Sequence, residues 1–267
     1  MIGGAERNKI QLVVFDWAGT TVDYGCFAPV NAFEKAFGAF DVYPTMDEIR
    51  APMGLLKIDH IRAMLQMESV RAQWIRAQGG EPGEEEVGEI YRVFEEKLME
   101  SLSEYAMPKP GVPEAIHELR EMGIKIGSTT GYNDEMMRIV SESAAANGYS
   151  PDTCFTPDGT EGFGRPYPYM IFQNMKAFAI QSVKNVVKVG DTLADIREGR
   201  NAGVLSLGVI EGSSMLGLTQ EEYEALSEEE KRLRREEAER RYREEGADDV
   251  LLTLKELPGW IRRYQAG

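Results

Sequence analysis

Apolar and polar positions change their spacing along this chain, and the change divides it into regions. Short apolar runs that end in glycine, hydroxyl or acidic residues predict buried strands near 10–15, 124–128, 153–156, 186–189 and 204–209, with a last short strand at 250–252. Between them, apolar residues at helical spacing predict helices at 113–121, 133–146, 168–179 and 192–202. Strands that alternate with helices indicate an α/β fold built on a doubly wound parallel sheet.

Residues 27–107 follow a different pattern. Val30, Phe33 and Phe37 recur at helical spacing, later apolar residues repeat it, and no convincing strand appears. The segment 107–112 holds two prolines and closes this block with a rigid exit. We therefore predict an all-helical insert at 27–107 and a core made of residues 1–26 and 108–267.

The two ends of the chain are polar. Residues 1–9 are expected to be frayed. Near the other end, Thr219 with Glu222 and Ser227 with Glu230 fit capping boxes that open two charge-rich helices. We interpret their glutamates and arginines as a solvated face.

Composition narrows the class of partner. The 267 residues are 42% hydrophobic, which suits a large core, and they carry a formal charge of −15 at pH 7. That charge repels nucleic acid and anionic lipid, so we expect neither as a partner, and an anionic substrate needs a local positive site. No run approaches the roughly 20 apolar residues that span a bilayer, which predicts a soluble, cytoplasmic protein. Cys26 and Cys154 are too few for a disulfide framework, and both are expected to be reduced.

The first strand ends in a carboxylate. In residues 13–23 an apolar run breaks into a small-residue turn at Asp16, so that Asp16 is predicted at the carboxyl end of a strand. Ligands bind at that edge of a parallel sheet, and an aspartate there can attack phosphorus when a cation offsets the repulsion. The alternative is that Asp16 only caps its turn.

A second strand also delivers carboxylates. Residues 187–189 lead into Asp191, and Asp195 follows about one helical turn later. Asp16, Asp191 and Asp195 can then face one cleft, where oxygen ligands suit Mg²⁺. The alternative is an N-cap role for Asp191 and a solvent-facing Asp195, although the pairing with the first segment favours the metal.

Two smaller segments predict a phosphate pocket. Residues 126–131 end a strand in hydroxyls and a glycine, and we choose the Thr130 hydroxyl and the Gly131 amide as anion donors, although an adjacent hydroxyl could substitute. Arg165 lies on a turn before a helix, where it could pair with Asp16 and with phosphoryl oxygens. A lone arginine is more often a surface residue.

These segments, in this order, resemble the haloacid dehalogenase superfamily of aspartate-nucleophile phosphotransferases. The matching pieces are residues 15–20, 128–131, Arg165 and residues 190–195. The resemblance implies a Rossmann-like core with a helical cap inserted after the first motif, and Asp16 as the nucleophile. It also implies Mg²⁺ bound by the Asp16 carboxylate, the Ala18 backbone carbonyl and Asp191, with Asp195 supporting the metal or its waters.

Ala18 departs from the phosphatases of that superfamily. Most of them carry a second aspartate at this position, which protonates the leaving oxygen and later activates water. Alanine cannot do so, and loss of a general acid typically costs about 10²–10⁴-fold in rate. Another kind of bond is therefore expected to break.

The insert holds a lysine that could supply different chemistry. Lys57 is flanked by Leu55, Leu56 and Ile58, and an amine in an apolar setting is easier to deprotonate. A neutral lysine attacks aldehydes, and the protonated imine that results can accept the electrons of a breaking phosphorus–carbon bond. The alternative is a lysine that extends to solvent from an amphipathic helix.

Longer matches narrow the resemblance to the phosphonoacetaldehyde hydrolase family. Residues 15–29, 52–60 and 123–132 look like that family in both cap and core. The resemblance implies that phosphonoacetaldehyde forms a Schiff base with Lys57, that Asp16 takes the phosphoryl group, and that acetaldehyde and then phosphate leave. It also implies a homodimer that pairs through the caps.

Four neighbours of these residues have weaker assignments. His60 lies three residues after Lys57 and could tune the amine or relay a proton, and a structural role is about as probable. Met53 could pack against the imine, and Cys26 and Tyr132 could line the cleft, although simple packing would explain all three. Two rival functions also stay open, a generic Mg²⁺-dependent phosphatase or phosphosugar mutase and a catalytically silent binding protein.

Overall fold

The computed structural model describes residues 9–266, so the expectation for residues 1–8 lies outside the described part of the chain. Its strands are β1 Leu12–Phe15, β2 Lys125–Thr129, β3 Thr153–Phe155, β4 Val186–Gly190, β5 Leu205–Val209 and β6 Asp249–Leu251. Its helices are α1 Phe27–Gly38, α2 Met46–Arg50, α3 Lys57–Leu65, α4 Glu68–Gln78, α5 Glu84–Ser101, α6 Val112–Glu121, α7 Asp134–Ala146, α8 Tyr169–Ala177, α9 Leu193–Ala202, α10 Gln220–Ala225, α11 Glu228–Glu245 and α12 Leu257–Ala266. Single 3₁₀ turns lie at 102–105, 157–160, 183–185 and 254–256.

The strands form one parallel sheet in the order β3-β2-β1-β4-β5-β6. The chain winds outwards from β1 in one direction through β2 and β3, and in the other through β4, β5 and β6. The predicted α/β fold with a Rossmann-like, doubly wound parallel sheet is therefore confirmed. Neighbouring β1 and β4 form the point at which the winding reverses, which is where ligands bind in such sheets.

Two predicted elements have an end that differs from the structure by two residues, while the other predicted ends agree within one residue. The first strand begins at Leu12 and not at Ile10, because the Ile10 amide donates a hydrogen bond to the Gln265 side chain outside the sheet. Helix α8 ends at Ala177 and not at Ala179, which has a positive φ of 53°. Both differences arise from contacts or backbone angles that apolar periodicity does not encode.

Within residues 27–107, all of which the structure describes, every regular element is helical. Helix α5 packs against α1 and α3, and α3 packs against α4. Phe33, Phe94, Ile61 and Leu98 are among the fully buried side chains of this segment. The aromatic pair Phe33 and Phe94 stacks at 4.2 Å between ring centres, which joins α1 to α5 next to α3.

The two predicted capping boxes near the end of the chain are present at the starts of α10 and α11. Helix α11 is charged along most of its length and buries only Ala238 and Tyr242. The Tyr242 hydroxyl lies 2.6 Å from the Asp191 carbonyl and 3.0 Å from the Val209 carbonyl. A helix with a solvated face is thereby anchored at the end of β4.

Candidate active site

The first two carboxylates come from the central pair of strands. Asp16 directly follows β1 and Asp191 directly follows β4, and both side chains are buried. The Thr20 hydroxyl lies 3.2 Å from Asp16 Oδ2 and 3.1 Å from Asp191 Oδ1. Because a hydroxyl carries one hydrogen, it can donate to only one of these carboxylates at a time.

Together with Asp195, this pair could hold a metal ion. Asp16, Asp191 and Asp195 each bring one carboxylate oxygen within 4.8 Å of the others. Burial, and then the charges of Asp16 and Asp195, raises the pKa of Asp191 to about 7. Three buried carboxylates that repel one another fit a hard divalent cation such as Mg²⁺, since Asp16 and Asp191 have only the Thr20 hydroxyl proton between them.

Asp195 has a more complex environment than a simple metal ligand. It is buried on the first turn of α9, where its Oδ2 accepts hydrogen bonds from the Thr192 amide and hydroxyl. Its Oδ1 lies 3.1 Å from Arg165 Nη1 and 2.9 Å from Lys188 Nζ. Burial opposes its charged form, but Arg165 and Lys188 outweigh burial and lower the pKa of Asp195. Thr192 caps α9 and Asp195 is buried, so the alternative of a capping Asp191 and a solvent-facing Asp195 is wrong.

Arg165 lies at the centre of a buried ionic cluster. Its Nη2 donates to Asp16 Oδ1 at 2.7 Å and to the Thr129 carbonyl at 2.8 Å. Its Nε lies 3.1 Å from Glu198 Oε2. The alternative of a surface arginine is therefore wrong, since Arg165 is 4% exposed.

Sequence reasoning missed Lys188 and Glu198 in this cluster. Lys188 is the middle residue of β4 and has no exposed surface, and its Nζ lies 2.8 Å from Thr129 Oγ1 and 3.1 Å from Glu198 Oε2. A lysine inside an otherwise apolar strand was the available signal, because a buried charge must find a partner. Glu198, one turn after Asp195 on α9, was the partner to search for.

The predicted phosphate donors follow β2. Thr130 is buried, and its hydroxyl oxygen accepts a hydrogen bond from the Tyr132 amide at 3.1 Å, which leaves the hydroxyl proton free to donate. Gly131 touches the helical insert, because a Cβ added there would lie 2.9 Å from the Leu55 carbonyl oxygen. The insert thus approaches the core directly above the predicted anion donors.

Lys57 is the first residue of α3 and is only 6% exposed. Its Nζ lies 5.2 Å from the Tyr132 ring centre and 5.9 Å from the Phe33 ring centre, and no carboxylate of residues 9–266 lies within ion-pair distance of it. Burial is the largest cause that lowers the pKa of Lys57, while Cys26 and Asp16 oppose the shift. Lys57 therefore does not extend to solvent, and the electrostatic influence of Asp16 links it to the core.

His60 and Met53 are both buried close to Lys57 in sequence. The His60 ring stacks on Phe33 at 3.9 Å, and its Nε2 lies 2.9 Å from the Ile49 carbonyl, to which it donates. His60 Nδ1 is buried and has no hydrogen-bond partner among the described residues. Burial, and then the charge of Lys57, holds the pKa of His60 well below its usual range, so that the ring is neutral. Met53 is 6% exposed and belongs to the main apolar core.

Comparisons with known proteins agree with this geometry. A family model described as haloacid dehalogenase-like hydrolase matches residues 10–203. A phosphonoacetaldehyde hydrolase of Lysinibacillus sphaericus (strain C3-41) is 50% identical over 94% of this chain and 93% of its own length. The chain belongs to the phosphonoacetaldehyde hydrolase family.

Two further similar proteins differ from this relative, one in chain length and the other in sequence identity. A bifunctional phosphonoacetaldehyde hydrolase/aminoethylphosphonate transaminase of Clostridioides difficile (strain 630) is 50% identical over 94% of this chain, which spans 39% of that longer protein. The crystal structure of a phosphonoacetaldehyde hydrolase-like protein from Oleispira antarctica has a TM-score of 0.94 and 32% identity, and the match covers 100% of this chain and 97% of that one.

Membership of the phosphonoacetaldehyde hydrolase family makes this protein a hydrolase of the haloacid dehalogenase-like fold. Among residues 9–266, no helix is long and apolar enough to cross a membrane.

Sequence reasoning also missed Lys109, the buried lysine where the chain returns from the insert to the core. Its Nζ donates to the carbonyls of Gly19 and Glu211, both at 2.6 Å, and so fixes the turn that follows Asp16.

Proposed function

We propose that this protein hydrolyses the phosphorus–carbon bond of phosphonoacetaldehyde to give acetaldehyde and phosphate. The observation that carries the proposal is Lys57, a buried amine with a lowered pKa that comes from the helical insert and lies within electrostatic range of Asp16. The family relatives named for this activity support it. Ala18, which has no proton to give, disfavours cleavage of an ordinary phosphate ester.

Lys57 begins the reaction as a neutral amine. Its nitrogen attacks the aldehyde carbon, and loss of water gives a protonated imine on Lys57. Burial and the lack of a carboxylate within ion-pair distance among residues 9–266 favour the neutral amine before the attack, and burial outweighs the attraction of the Phe33 and Tyr132 ring faces for an ammonium. The cationic imine then provides the electron sink that an ester phosphatase does not need.

Asp16 attacks the phosphorus atom. The electron pair of the phosphorus–carbon bond moves into the imine, so that an aspartyl-phosphate and an enamine form together. The enamine takes a proton on carbon, and water releases acetaldehyde and restores Lys57. A second water hydrolyses the aspartyl-phosphate, which yields phosphate and restores Asp16.

Three groups of the core stabilise the phosphoryl oxygens in this scheme. Arg165, already 2.7 Å from Asp16, stabilises the charge that spreads over the phosphoryl group. The Thr130 hydroxyl and the Gly131 amide donate to the same oxygens from the end of β2. Ion pairs with Asp16, Asp195 and Glu198 fix Arg165 before the substrate binds. Thr130 and Gly131 lie directly after β2.

The Asp16 carboxylate, the Ala18 carbonyl and Asp191 would hold Mg²⁺, and Asp195 would support the metal or its waters. When bound, Mg²⁺ offsets the repulsion between the Asp16 carboxylate and the phosphonate dianion. An indirect role for Asp195 agrees with its contacts, because Oδ2 already accepts hydrogen bonds from Thr192 and Oδ1 lies within ion-pair distance of Arg165 and Lys188.

His60 and Met53 complete the lysine site. The unpaired Nδ1 of neutral His60 can take a proton only transiently and relay it during imine formation, because its pKa lies well below the usual range, while Nε2 fixes the ring against Ile49. Met53 packs against the imine carbon chain. In this arrangement residues 27–107 act as a cap that brings Lys57 to a core formed by residues 1–26 and 108–267.

Chemical trapping tests both covalent steps. Borohydride added with phosphonoacetaldehyde should reduce the imine, abolish turnover and leave a mass increase on Lys57 alone. Lys57→Arg should fold and lose acetaldehyde release by about 10⁴-fold or more, the scale of losing a covalent nucleophile. Trapped, inactive enzyme with an unmodified Lys57 would refute the lysine mechanism.

A matched variant separates the two nucleophiles. Asp16→Asn should still form the trapped imine on Lys57 but release no phosphate. Phosphate release by Asp16→Asn would mean that another group attacks phosphorus. Efficient turnover of ordinary phosphate monoesters by the wild-type enzyme, without turnover of phosphonoacetaldehyde, would support a generic phosphatase instead.

We also propose that two copies pair through their caps. The cap exposes Tyr43, Met46 and Ile75, which are 65%, 46% and 38% accessible to solvent, and a second cap could cover them. Light scattering should give the mass of a dimer, and Ile75→Glu should shift it towards the monomer. A monomeric mass for the wild-type protein at micromolar concentration would contradict this proposal.

A further inference from the structure

A cavity lies between the insert and the core, next to the candidate active site. Its volume is about 410 Å³. It is lined by residues 47 and 50–53 of the insert and by 192–194, 214 and 215 of the core, together with Leu55, Arg197 and Arg241. Neither Asp16, Lys57 nor Arg165 lines it, whereas Met53 lies on its wall, so the cavity adjoins the reaction centre without containing either nucleophile.

Close backbone contacts separate this cavity from the reaction centre. Gly54 has a φ of +88°, and a Cβ added to it would collide with the Thr192 hydroxyl. The next residue, Leu55, brings its carbonyl against Gly131, as described above. Residues 53–55 therefore form a barrier, with the arginine-lined cavity on one side and the donors of the phosphate pocket on the other.

The cavity has an excess of positive charge although the chain as a whole carries −15. Three arginines line it, Arg50, Arg197 and Arg241, against one carboxylate, Asp47. Arg197 is neutralised by Glu245 at 2.8 Å. Arg241 forms no ion pair with any residue between 9 and 266.

Arg50 is held in place without being neutralised. Its Nη1 donates to the Gly25 carbonyl at 2.9 Å and to the Ser214 carbonyl at 3.3 Å, and its guanidinium lies 5.1 Å from the Phe27 ring centre. Its Nη2 is buried and has no hydrogen-bond partner in the described part of the chain. Arg50 forms no ion pair among residues 9–266, and Asp23 acts on it only through longer-range electrostatics, so the fixed guanidinium can still attract an anion.

We propose that this cavity is a vestibule that binds a tetrahedral dianion outside the closed active site, through Arg50 and Arg241. The proposal rests on the proposed function, in which both the phosphonate substrate and the phosphate product carry such a group. A protein of strongly negative net charge repels these anions, and a local positive cleft raises their concentration at the point where the cap must open. Arg50, at the end of α2, and Arg241, on α11, would hold the anion from the two sides of that opening.

Steady-state kinetics with matched variants tests the vestibule. Arg241→Gln should raise KM for phosphonoacetaldehyde about three- to tenfold at low ionic strength and leave kcat unchanged, because binding precedes chemistry. The difference should vanish at about 1 M salt, where the Debye length is about 3 Å. Arg241→Lys should restore most of the affinity. Arg240→Gln removes the same charge from the neighbouring position, where Arg240 pairs with Glu237 and Glu244 outside the cavity, and should behave like wild type.

Product inhibition by phosphate distinguishes a vestibule that serves both substrate and product from one that serves the substrate alone. If phosphate leaves by the same route, its constant as a product inhibitor should rise in Arg241→Gln together with KM. If only the substrate uses the vestibule, KM alone should rise. Equal effects of Arg241→Gln and Arg240→Gln on KM and on its salt dependence would overturn the proposal.

A phosphate-binding experiment tests the vestibule independently of the proposed reaction. Inorganic phosphate should shift the side-chain Nε–H resonance of Arg241 in a saturable way, with the signal identified by its loss in Arg241→Gln, and the Arg240 signal should not move. An Arg241 signal that ignores phosphate would refute the vestibule even if phosphonoacetaldehyde is turned over. A shifted signal in a protein that does not release acetaldehyde would instead refute the proposed function.

Discussion

Two buried lysines, one from the helical insert and one from the core sheet, have opposite surroundings. Lys57 lies near the rings of Phe33 and Tyr132 with no carboxylate of the described chain in ion-pair distance. Lys188 lies within 3.1 Å of both Asp195 and Glu198 and donates to Thr129. Burial favours the neutral amine of Lys57, whereas Lys188 forms two buried ion pairs.

The comparison shows that the two sides of the site have different physical tasks. The core supplies fixed charge, since Arg165 and Lys188 hold Asp16, Asp195 and Glu198 in one buried cluster. The insert supplies an apolar wall in which an amine loses its proton more easily. An aldehyde that reacts with an amine needs the apolar environment of the insert, and a phosphonate needs the fixed charges of the core. A substrate that contains both groups therefore matches the junction between insert and core.

The largest expected effect comes from replacing each of the two lysines with methionine and comparing the stabilities of the two variants. Lys188→Met leaves Asp195 and Glu198 with only Arg165 as a cation, and should lower the free energy of unfolding by about 3–5 kcal/mol. Lys57→Met removes an amine whose charged form is disfavoured by burial, and should leave the free energy of unfolding at pH 7 unchanged or raise it. Urea unfolding of both variants and the wild type, at one fixed Mg²⁺ concentration, measures the difference. Equal destabilisation by the two substitutions would mean that Lys57 has an ionic partner in the folded protein.

A smaller effect is expected where the insert touches the core. Gly54→Ala places a Cβ against the Thr192 hydroxyl and should hold the insert away from the core. Misplacement by about 1 Å can cost about 10²-fold in rate, so kcat/KM for phosphonoacetaldehyde should fall by roughly that factor.

Gly79 provides the matched control for this variant. Its φ of +79° is close to the +88° of Gly54, but a Cβ there would meet nothing within 4 Å. Gly79→Ala should therefore lose about 1–2 kcal/mol of stability from backbone strain, as Gly54→Ala does, and keep its activity. If both variants lose activity equally, backbone strain in the insert, and not closure against Thr192, limits the reaction.

The sequence predicted the residues that follow strands better than those within elements. Asp16, Asp191 and Arg165 stand at breaks in the apolar pattern. Capping or a surface position would explain each of them alone, but their order along the chain indicated a common site. Lys188 and Glu198 lie inside β4 and α9, and their partners come from distant parts of the chain, so that no local spacing reveals them. The same reasoning applies to Lys109, whose contacts to Gly19 and Glu211 exist only after the chain has folded.

The pH dependence of stability tests the Lys57 environment most finely. Burial lowers the pKa of Lys57 from 10.5 in the folded protein, whereas the unfolded chain keeps a value near 10.5. Between these two values the unfolded state binds a proton that the folded state does not, so raising the pH through this window stabilises the folded wild type by up to about 1.4 kcal/mol per pH unit. Lys57→Met lacks this proton, and its stability advantage over the wild type should therefore shrink as the pH rises towards 10.5.

Urea unfolding of the two proteins across this range gives the difference directly, because the thiol of Cys26 and the hydroxyl of Tyr132 titrate in both and largely cancel. A difference that does not change with pH would show that Lys57 keeps its proton on folding, and the amine would then be a poor nucleophile at neutral pH.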